Sequence, residues 1–486
     1  MTKKTEQTVN VAIVLCDCAG TLRDKIDFNQ LTEQLGSLPE VGTVKLCSKF
    51  CQQSDCAKTL KSLPLKKGQT TRLIVGACDR EIYDNALDKA MQDVDLNEGL
   101  LWSVNIREHC GWVAKTPKAA SDIAKESLIA AAIRRIQAAS AIKSVTTKVN
   151  QNVLILGGTI GAMQTATALS KLGHRVTLIE TGKKLGGLVA QTPELYSYVA
   201  SDSSHAGQLV QNRIDELIQQ VKKDKKIQAQ TSSRLNSLDG EFGNFKAVIA
   251  SNGSTKKISA GAIVLAPNPI QSELAKLTHN GQGIPKRIAI VIDVSGEQSK
   301  RISAQVLSSA ELLIERFGVE VKLYCRNIRV AATGMEALYR RARQAGVVIV
   351  KYDSPPKISG TGSKKTISIE EPLIGCQIEE EFDLVIMADA LPADNTNILS
   401  IIEGLRPSPA GDLQSDSVWL LPTESNREGI FIVGSAPDTD ELIDSQTEAL
   451  ATANEIHELL KNKQIEILDD AAVVDIDKCV LCLTCM

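Results

Sequence analysis

Aromatic side chains are scarce in this chain, and neither sign of charge is in clear excess. Phenylalanine, tyrosine and tryptophan make up 3% of the 486 residues, and the formal net charge is −3. Nucleic acids are bound on stacked aromatic rings and basic surfaces, so this composition argues against a nucleic-acid partner. The chain also lacks an apolar run near the ~20 residues of a membrane-spanning helix. VAIVL (11–15) is too short for a signal-peptide core, so we expect a first β-strand there and a cytoplasmic protein.

Cysteine is missing from most of the chain and concentrated towards its two ends. Seven of the 12 cysteines precede residue 111, and three lie in the last eight residues. In a large cytoplasmic protein, such clusters indicate metal or redox chemistry more than a disulfide framework.

Apolar, β-branched runs alternate with helical patterns, which predicts a doubly wound α/β architecture. Four strands precede a long helix at 118–139, and NVLILGG (152–158) then opens a second unit as a buried strand. Turn residues within 235–258 predict β-hairpins. A third strand–helix–strand unit begins at RIAIVIDV (287–294), so the chain is expected to contain several sheets.

The segment NVLILGGTIGAMQTATALSKLGHRVTLIE (152–180) has the order of a dinucleotide-binding unit: strand, glycine turn, helix and second strand ending in an acid. Gly157 allows the tight turn, and Glu180 follows 23 residues later, near the offset of a ribose-binding acid. Thr159 replaces the second glycine of the motif and Ala162 the third. The candidate contacts are Gly157, Gly158, Thr159, Gly161 and Glu180. An ordinary strand–helix–strand unit with a tight turn stays open as the alternative.

Two further segments favour FAD as the dinucleotide. Gly186 and Gly187 follow the acid, where FAD domains commonly place a glycine pair. The late segment GIFIVGSAPDTDELIDSQTEAL (429–450) combines a strand, a glycine turn and a helix start, which meet the ribityl chain and the isoalloxazine in two-dinucleotide flavoproteins. Its candidate contacts are Gly434, Ser435, Ser445 and Gln446. By contrast, DVSGEQSKR (293–301) has a single glycine, and the FAD segments lack a C-x4-C pair, so we expect neither nicotinamide reduction nor a flavin–disulfide relay.

Five cysteines of the first block lie where predicted strands end. They are Cys16, Cys18, Cys47, Cys78 and Cys110. Because the carboxyl ends of parallel strands meet at one rim, we expect these thiols to gather, and thiolates are iron–sulfur ligands. The alternative is a set of buried thiols that act as small hydrophobic side chains. Cys51 and Cys56 are either substitute ligands or redox-active neighbours.

CVLCLTCM (479–486) carries a stronger local signal. Cys479, Cys482 and Cys485 have the spacing that opens a ferredoxin-type ligand run. Three thiolates do not complete a cluster, so we expect the fourth ligand from a partner protein or from residues beyond Met486. The alternatives are a zinc knuckle and a tail that binds no metal.

The segments CDCAGTL (16–22), LCS (46–48), GACDRE (76–81) and NIREHCGW (105–112) resemble the A-type subunits of heterodisulfide reductases and their relatives. The resemblance implies an FAD, an N-terminal [4Fe–4S] cluster and ferredoxin-like modules. It also implies flavin-based electron bifurcation, confurcation or relay within a hetero-oligomeric complex. The partners would be other redox subunits of a heterodisulfide-reductase-like complex, and ferredoxin or hydrogenase- and dehydrogenase-type electron donors.

This chain departs from that family at four points, one of which is that GACDRE (76–81) lacks the usual Ser-Pro. Residues 188–260 contain no cysteine, so the ferredoxin module that many relatives insert in the FAD domain is absent. Thr159 and Ala162 weaken the glycine turn, and LAPNP (265–269) replaces a family-like ATG turn. These departures bear on bifurcation more than on flavin binding.

The predicted fold is α/β, with an N-terminal parallel-sheet domain and a two-dinucleotide-fold, thioredoxin-reductase-like FAD domain, ending in the start of a ferredoxin-like module. The expected domains are 1–145 for the iron–sulfur domain, 151–285 with 395–465 for the FAD domain, 286–394 for a second dinucleotide fold without a nucleotide fingerprint, and 470–486 for the ferredoxin-like start.

The predicted function is that of an FAD and [4Fe–4S] electron-transfer component of a multi-subunit oxidoreductase. The cofactors would carry the redox chemistry, so no side chain is nominated as general acid or base. Two alternatives stay open: a stand-alone NAD(P)H-dependent flavin reductase, and a non-catalytic iron–sulfur scaffold with an empty nucleotide pocket.

Overall fold

The computed structural model covers the chain with gaps. The residues that it describes are 11–64, 71–94, 96–199, 206–251, 253–268, 274, 277–278, 283–292, 300–330, 334–360, 364–372, 375–388, 396–408, 412–417, 421–434, 444–468, 474 and 476–480. The chain divides into two compact units, residues 1–146 with 466–486 and residues 147–465. The finer domain boundaries expected from the sequence stay a prediction.

The first unit alternates strands and helices. Its elements are β1 (Val11–Cys16), α1 (Phe28–Gly36), β2 (Val41–Cys47), α2 (Gln53–Lys61), β3 (Arg72–Ala77), α3 (Asp84–Gln92), β4 (Leu101–Asn105), α4 (Pro117–Glu126) and α5 (Arg134–Ala138). The four strands form a parallel sheet in the order β2-β1-β3-β4. All six residues of β1 are buried, because helices cover both faces of a parallel sheet. The predicted α/β class and N-terminal parallel sheet are therefore confirmed.

The long helix predicted at 118–139 is not continuous. A π-helical segment, Ser127–Ile133, separates α4 from α5, and a second π-helical segment spans Arg107–Gly111. The sequence SLIAAAI is apolar at nearly every position, so its pattern predicts a helix without distinguishing the wider π-helical winding.

The second unit begins with a seven-stranded sheet and its crossover. The elements up to residue 265 are β5 (Ser144–Lys148) at the unit boundary, β6 (Val153–Leu156), α6 (Ile160–Lys171), β7 (Val176–Ile179), α7 (Gly187–Gln191), α8 (Ala206–Lys223), β8 (Ile227–Gln230), β9 (Ser233–Asp239), β10 (Phe245–Ser251), β11 (Ser254–Ala260) and β12 (Ala262–Leu265). Strands β9 to β11 form an antiparallel sheet between β8 and β12, which confirms the predicted hairpins.

A second sheet is inserted before the first one is complete. The remaining elements are β13 (Arg287–Val291), α9 (Lys300–Phe317), β14 (Glu320–Cys325), α10 (Met335–Ala345), β15 (Val348–Lys351), β16 (Lys357–Ser359), β17 (Lys365–Glu371), β18 (Cys376–Phe382), β19 (Leu384–Met387), α11 (Thr396–Ile401), β20 (Ser415–Ser417), β21 (Leu421–Ser425), β22 (Ile430–Ile432), α12 (Ser445–Leu460) and β23 (Gln464–Leu468). The inserted sheet has the order β15-β14-β13-β19, and the first sheet has the order β20-β21-β22-β12-β6-β7-β8. In each sheet the first strand lies beside the strand that follows a three-stranded antiparallel crossover. These neighbours are β6 and β12 in the first sheet, and β13 and β19 in the inserted sheet.

Within the described ranges, no helix is both long enough and apolar enough to cross a membrane.

Candidate functional site

The turn between β6 and α6 requires glycine at its first position. Gly157 has φ +124°, and a Cβ there would lie 1.8 Å from the carbonyl oxygen of Ala266, at the end of β12. Any larger residue would force two neighbouring strands of the sheet apart. Gly157 also donates its N–H to the carbonyl of Ile179 at 2.8 Å, so the turn is tied to the ends of β7 and β12.

Thr159 fills the position of the second motif glycine. It is fully buried, and it caps α6 because its hydroxyl accepts from the N–H of Ala162 at 3.4 Å. The same hydroxyl donates to the Ala266 carbonyl at 3.4 Å. One N–H of the helix N-terminus is therefore engaged by the chain itself, and fewer remain for a pyrophosphate.

Glu180 is buried, with 1% of its surface exposed, and its carboxylate is surrounded by donors. The donors are the N–H of Gly158 at 2.6 Å, the N–H of Gly182 at 2.5 Å, the hydroxyl of Thr181 at 3.3 Å and the carboxamide of Asn268 at 3.2 and 3.3 Å. The predicted ribose-binding acid thus lies beside the glycine turn, as its offset in the sequence predicts. Its acceptor positions are taken by the protein.

Asn268 is the site residue that sequence reasoning did not nominate. It follows the returning strand β12 in LAPNP, the segment that departs from a family-like ATG turn. That departure is the signal that points to this position, because a glycine there would have no side chain to place against Glu180.

A cavity of about 100 Å³ lies at these strand ends. Its walls include Gly157, Glu180, Arg234, Pro267 and Asn268. The carboxyl ends of parallel strands are where open α/β sheets bind nucleotides, so this is the candidate pocket.

The predicted glycine pair and the late glycine both approach the turn. Gly186 donates its N–H to the Gly158 carbonyl at 2.8 Å, and Gly187 begins α7 with φ +62°. A Cβ on Gly161 would lie 3.6 Å from Gly434, so segments far apart in the chain meet at the start of α6.

Ser445 and Gln446 bond to helices instead of to the glycine turn. The Ser445 hydroxyl donates to the side-chain oxygen of Gln164 on α6 at 2.9 Å. Gln446 accepts from the guanidinium of Arg213 on α8 at 3.0 Å and borders a groove of about 290 Å³ formed by α6, α8 and α12. Ser435 lies outside the described residues.

In the first unit, cysteines end adjacent strands as the sequence predicts. Cys16 and Cys47 are the last residues of β1 and β2 and stand opposite each other in the parallel register. Cys78 follows β3 directly. Cys18 lies in a left-handed turn, with φ +53°, and its sulfur accepts a hydrogen bond from the Arg107 guanidinium at 3.2 Å.

These four thiols form one electrostatic group. A hydrogen bond with the Cys47 thiol lowers the pKa of Cys16 to about 6, although burial opposes this shift. The same hydrogen bond, together with burial, raises the pKa of Cys47. Burial raises the pKa of Cys78 to about 12, and the charge of Arg107 opposes it while Cys18 and Cys16 add to it. Cys16 therefore ionises before Cys47 and Cys78.

Asp17 holds the turn that carries Cys18. Its buried carboxylate accepts from the N–H of Gly20 at 3.0 Å, from Arg23 at 2.6 Å and from the Ser48 hydroxyl at 2.7 Å. Burial alone would raise the pKa of Asp17, but the bonds from Ser48, Arg23 and Gly20 outweigh it and the pKa lies below its ordinary value. The carboxylate therefore stays charged and fixes the loop between β1 and α1.

Two further cysteines of the first unit are buried. Cys110 is buried in an apolar cluster with Leu22 and Ile26, its sulfur lies 3.8 Å from the Asn105 carbonyl, and burial raises its pKa. Cys56 is fully buried on α2, and burial raises its pKa to about 12. Both thiols are therefore neutral near pH 7, and their roles as ligands stay a prediction.

The structure does not place a preformed metal centre in the part of the chain that it describes. No group of three or more histidine, cysteine, aspartate or glutamate residues there could hold an ion as they stand. Of the C-terminal ligands, Cys479 is exposed, and Cys482 and Cys485 lie outside the described residues.

Comparison with known proteins gives matches along the chain. Residues 152–266 match the family model of FAD-dependent oxidoreductases. An A-type iron–sulfur subunit of the CoB–CoM heterodisulfide reductase of Methanopyrus kandleri is 22% identical, over 98% of this chain and 89% of that protein. The A-type subunit of the H2:CoB–CoM heterodisulfide,ferredoxin reductase of Methanothermobacter marburgensis is 20% identical, over 100% of this chain and 90% of that protein. The thioredoxin reductase of Lactococcus lactis superposes on 64% of this chain and 100% of its own, with a TM-score of 0.46 and 17% identity.

The match to Methanopyrus kandleri extends over 604 aligned positions, more than this chain contains, so the relative has segments that this chain lacks. These matches confirm the predicted resemblance and the predicted class of FAD-dependent oxidoreductase.

Proposed function

The chain is an oxidoreductase similar along nearly its whole length to the A-type subunits of heterodisulfide reductases, and from that premise we propose that it is an FAD and [4Fe–4S] electron-transfer component of a multi-subunit complex. The observation that carries the proposal is the pairing of two sites in one chain: a glycine turn with a buried acid in one unit, and a rim of four cysteines in the other.

The nucleotide pocket fits an FAD in its chemistry. Glu180 would accept hydrogen bonds from the ribose, and the N-terminus of α6 would hold the pyrophosphate. The backbone of Gly434 lies close to the start of α6. The orphaned oxygen of Asn268, buried beside Glu180, indicates that a hydrogen-bonding group belongs in this space. When bound, FAD supplies two-electron and one-electron redox chemistry, while the protein contributes orientation and electrostatics.

The cysteine rim fits an iron–sulfur cluster in its donor set. Cys16, Cys18, Cys47 and Cys78 would be the ligands, and the low pKa of Cys16 provides a first thiolate. The guanidinium of Arg107 would balance the negative charge of such a cluster through Cys18. A cluster supplies one-electron transfer. Cys110 stays a fifth proposed ligand, and it is buried in the apolar cluster against which Cys18 also packs.

We also propose that the chain acts inside a cytoplasmic hetero-oligomer and exchanges electrons with other redox subunits, ferredoxin, or hydrogenase- or dehydrogenase-type donors. Two relatives are named as subunits of heterodisulfide reductases, one of them with ferredoxin in its name. In that complex Cys479, Cys482 and Cys485 would be three ligands of an iron–sulfur cluster. Another segment or a partner protein would supply the fourth ligand. The most specific form of this proposal is that the flavin takes part in electron bifurcation.

A second candidate is a non-catalytic iron–sulfur scaffold with an empty nucleotide pocket. The closed hydrogen-bond network of Glu180 and the buried Thr159 favour it. The first candidate predicts bound flavin and the second predicts none, whereas both predict an iron–sulfur cluster.

The deciding experiment is the quantification of iron, sulfide and flavin in anaerobically purified protein. The proposal expects near-stoichiometric FAD and at least four irons per chain, with little bleaching of the flavin by NAD(P)H alone. Iron with no flavin, even after incubation with FAD, would support the scaffold. Rapid bleaching by NAD(P)H would instead identify a self-contained flavin reductase.

A further inference from the structure

Asn268 occupies space that a nucleotide ribose needs. Its side-chain nitrogen lies 3.2 and 3.3 Å from the two carboxylate oxygens of Glu180, so it engages both at once. A ribose diol that binds a motif acid uses these same acceptor oxygens. The two groups therefore compete for one carboxylate.

The side-chain oxygen of Asn268 distinguishes this contact from an ordinary structural hydrogen bond. The Asn268 side-chain oxygen is buried and has no hydrogen-bond partner among the described residues. A Cβ on Gly187 would lie 2.5 Å from that oxygen, so the amide is wedged against the glycine pair. Leaving a buried acceptor unpaired has a free-energy cost that offsets part of the bond to Glu180.

The cavity beside Glu180 is small for a ligand-binding pocket. The cavity beside Glu180 holds about 100 Å³, which is room for about three water molecules. Pockets that bury small-molecule ligands run from about 300 to 1,000 Å³. The cavity is therefore smaller than a site that encloses such a ligand, and Asn268 is the wall residue hydrogen-bonded to the predicted ribose-binding acid.

We infer that Asn268 is a gate residue of the nucleotide pocket, which closes the site by binding Glu180 and must swing away before the ribose of a dinucleotide can bind. This inference rests on the proposed FAD site. The closed form lowers the apparent affinity by the fraction of molecules that are open. A hydrogen bond to a charged group makes that factor about tenfold or more.

The test measures FAD binding by the whole 486-residue chain. Bound flavin is first removed, and the binding of added FAD is then measured from the change in flavin fluorescence. Asn268→Ala is expected to bind FAD at least about tenfold more tightly than the wild type. In stopped-flow mixing, the wild-type binding rate is expected to reach a plateau with rising FAD, because gate opening becomes limiting. In the variant the rate is expected to stay linear. Asn212→Ala, on the exposed face of α8, is the matched control and leaves both unchanged.

A second background isolates the role of Glu180. In Glu180→Gln the competing charge is gone, so adding Asn268→Ala is expected to improve affinity less than it does in the wild type. If Asn268→Ala is poorly folded by circular dichroism, Asn268→Ser serves in its place, since it also lacks the reach to Glu180.

Unchanged or weaker FAD binding in a folded Asn268 variant, beside a wild type that binds FAD, overturns the gate and leaves the proposed function standing. A wild type and variants that all fail to bind FAD at saturating concentration overturn both.

Discussion

Replacing Gly157 with alanine tests how strongly the glycine turn depends on its missing side chain. The new Cβ would lie 1.8 Å from the Ala266 carbonyl oxygen and must retreat by more than 1 Å, since real contacts below 3.0 Å are essentially absent. That shift displaces the end of β12, where Ala266 donates to Leu156 at 2.8 Å. The positive φ adds about 1–2 kcal/mol, and a lost buried hydrogen bond adds about 1–3 kcal/mol.

Gly173 is the matched control at the other end of α6. It also has a positive φ, +102°, but a Cβ there would have no atom within 4 Å. Gly173→Ala should therefore show only the backbone cost of about 1–2 kcal/mol. We expect Gly157→Ala to lower the local opening free energy by about 4 kcal/mol or more, a loss that few single substitutions reach.

Hydrogen exchange measured by mass spectrometry is the suitable assay, because a chain of two units does not unfold as one cooperative transition. Peptides covering β6 and β12 should exchange about a thousandfold faster in Gly157→Ala and about tenfold faster in Gly173→Ala, since each 1.4 kcal/mol is a factor of ten. Equal exchange in the two variants would refute the steric argument and leave only the backbone conformation.

Three further predictions concern the cysteine rim and a buried acid. Cys78→Ser should lower the iron and sulfide content of anaerobically prepared protein while the exposed control Cys376→Ser does not, and equal content in both would exclude Cys78 as a ligand. Arg107→Gln should lower the reduction potential of an assembled cluster in an EPR-monitored titration, because a positive donor to Cys18 is lost; Arg107→Lys, which keeps the charge, should shift it less. Burial, with help from nearby acids, raises the pKa of Glu424 to about 7, so protonation of this carboxyl contributes fully to stability below about pH 4.5, and that contribution is lost as the pH rises through 7. Glu424→Gln should therefore stabilise the protein by about 2 kcal/mol at pH 8, after a discount for the partial exposure of this side chain, and by almost nothing at pH 4. A difference in the thermal transition of the second unit that is independent of pH would contradict this.

The placement of the strand-end cysteines could be predicted because it follows from topology. Four parallel strands put their carboxyl ends at one rim, so Cys16 and Cys47 meet once the strands are identified. Cys110 could not be placed in the same way. It lies inside the π-helical segment after β4 and belongs to the apolar cluster around Leu22, and the sequence pattern does not distinguish that winding from an α-helix.

The nucleotide turn shows a similar division. Gly157 and Glu180 could be located from their spacing, because the strand–turn–helix geometry fixes both positions. The inward direction of the Asn268 side chain could not, because LAPNP specifies the end of a strand and not the rotamer of the residue after the proline. Pairing of a side chain across 88 residues depends on tertiary packing that no local pattern contains.

The insertion of one sheet into the other has a consequence for how the protein is made. Strand β12 pairs with β22, about 165 residues later in the chain, and the whole β13–β19 sheet is synthesised between them. At ribosomal rates of about 5–20 residues per second, β12 waits roughly 10–30 s with one hydrogen-bonding edge unpaired. That edge belongs to AIVL, four residues that are all buried in the finished protein. An apolar open edge is a template for aggregation, so the nascent chain is exposed to misassembly at this strand until β22 emerges, and faster synthesis of the intervening residues shortens that interval.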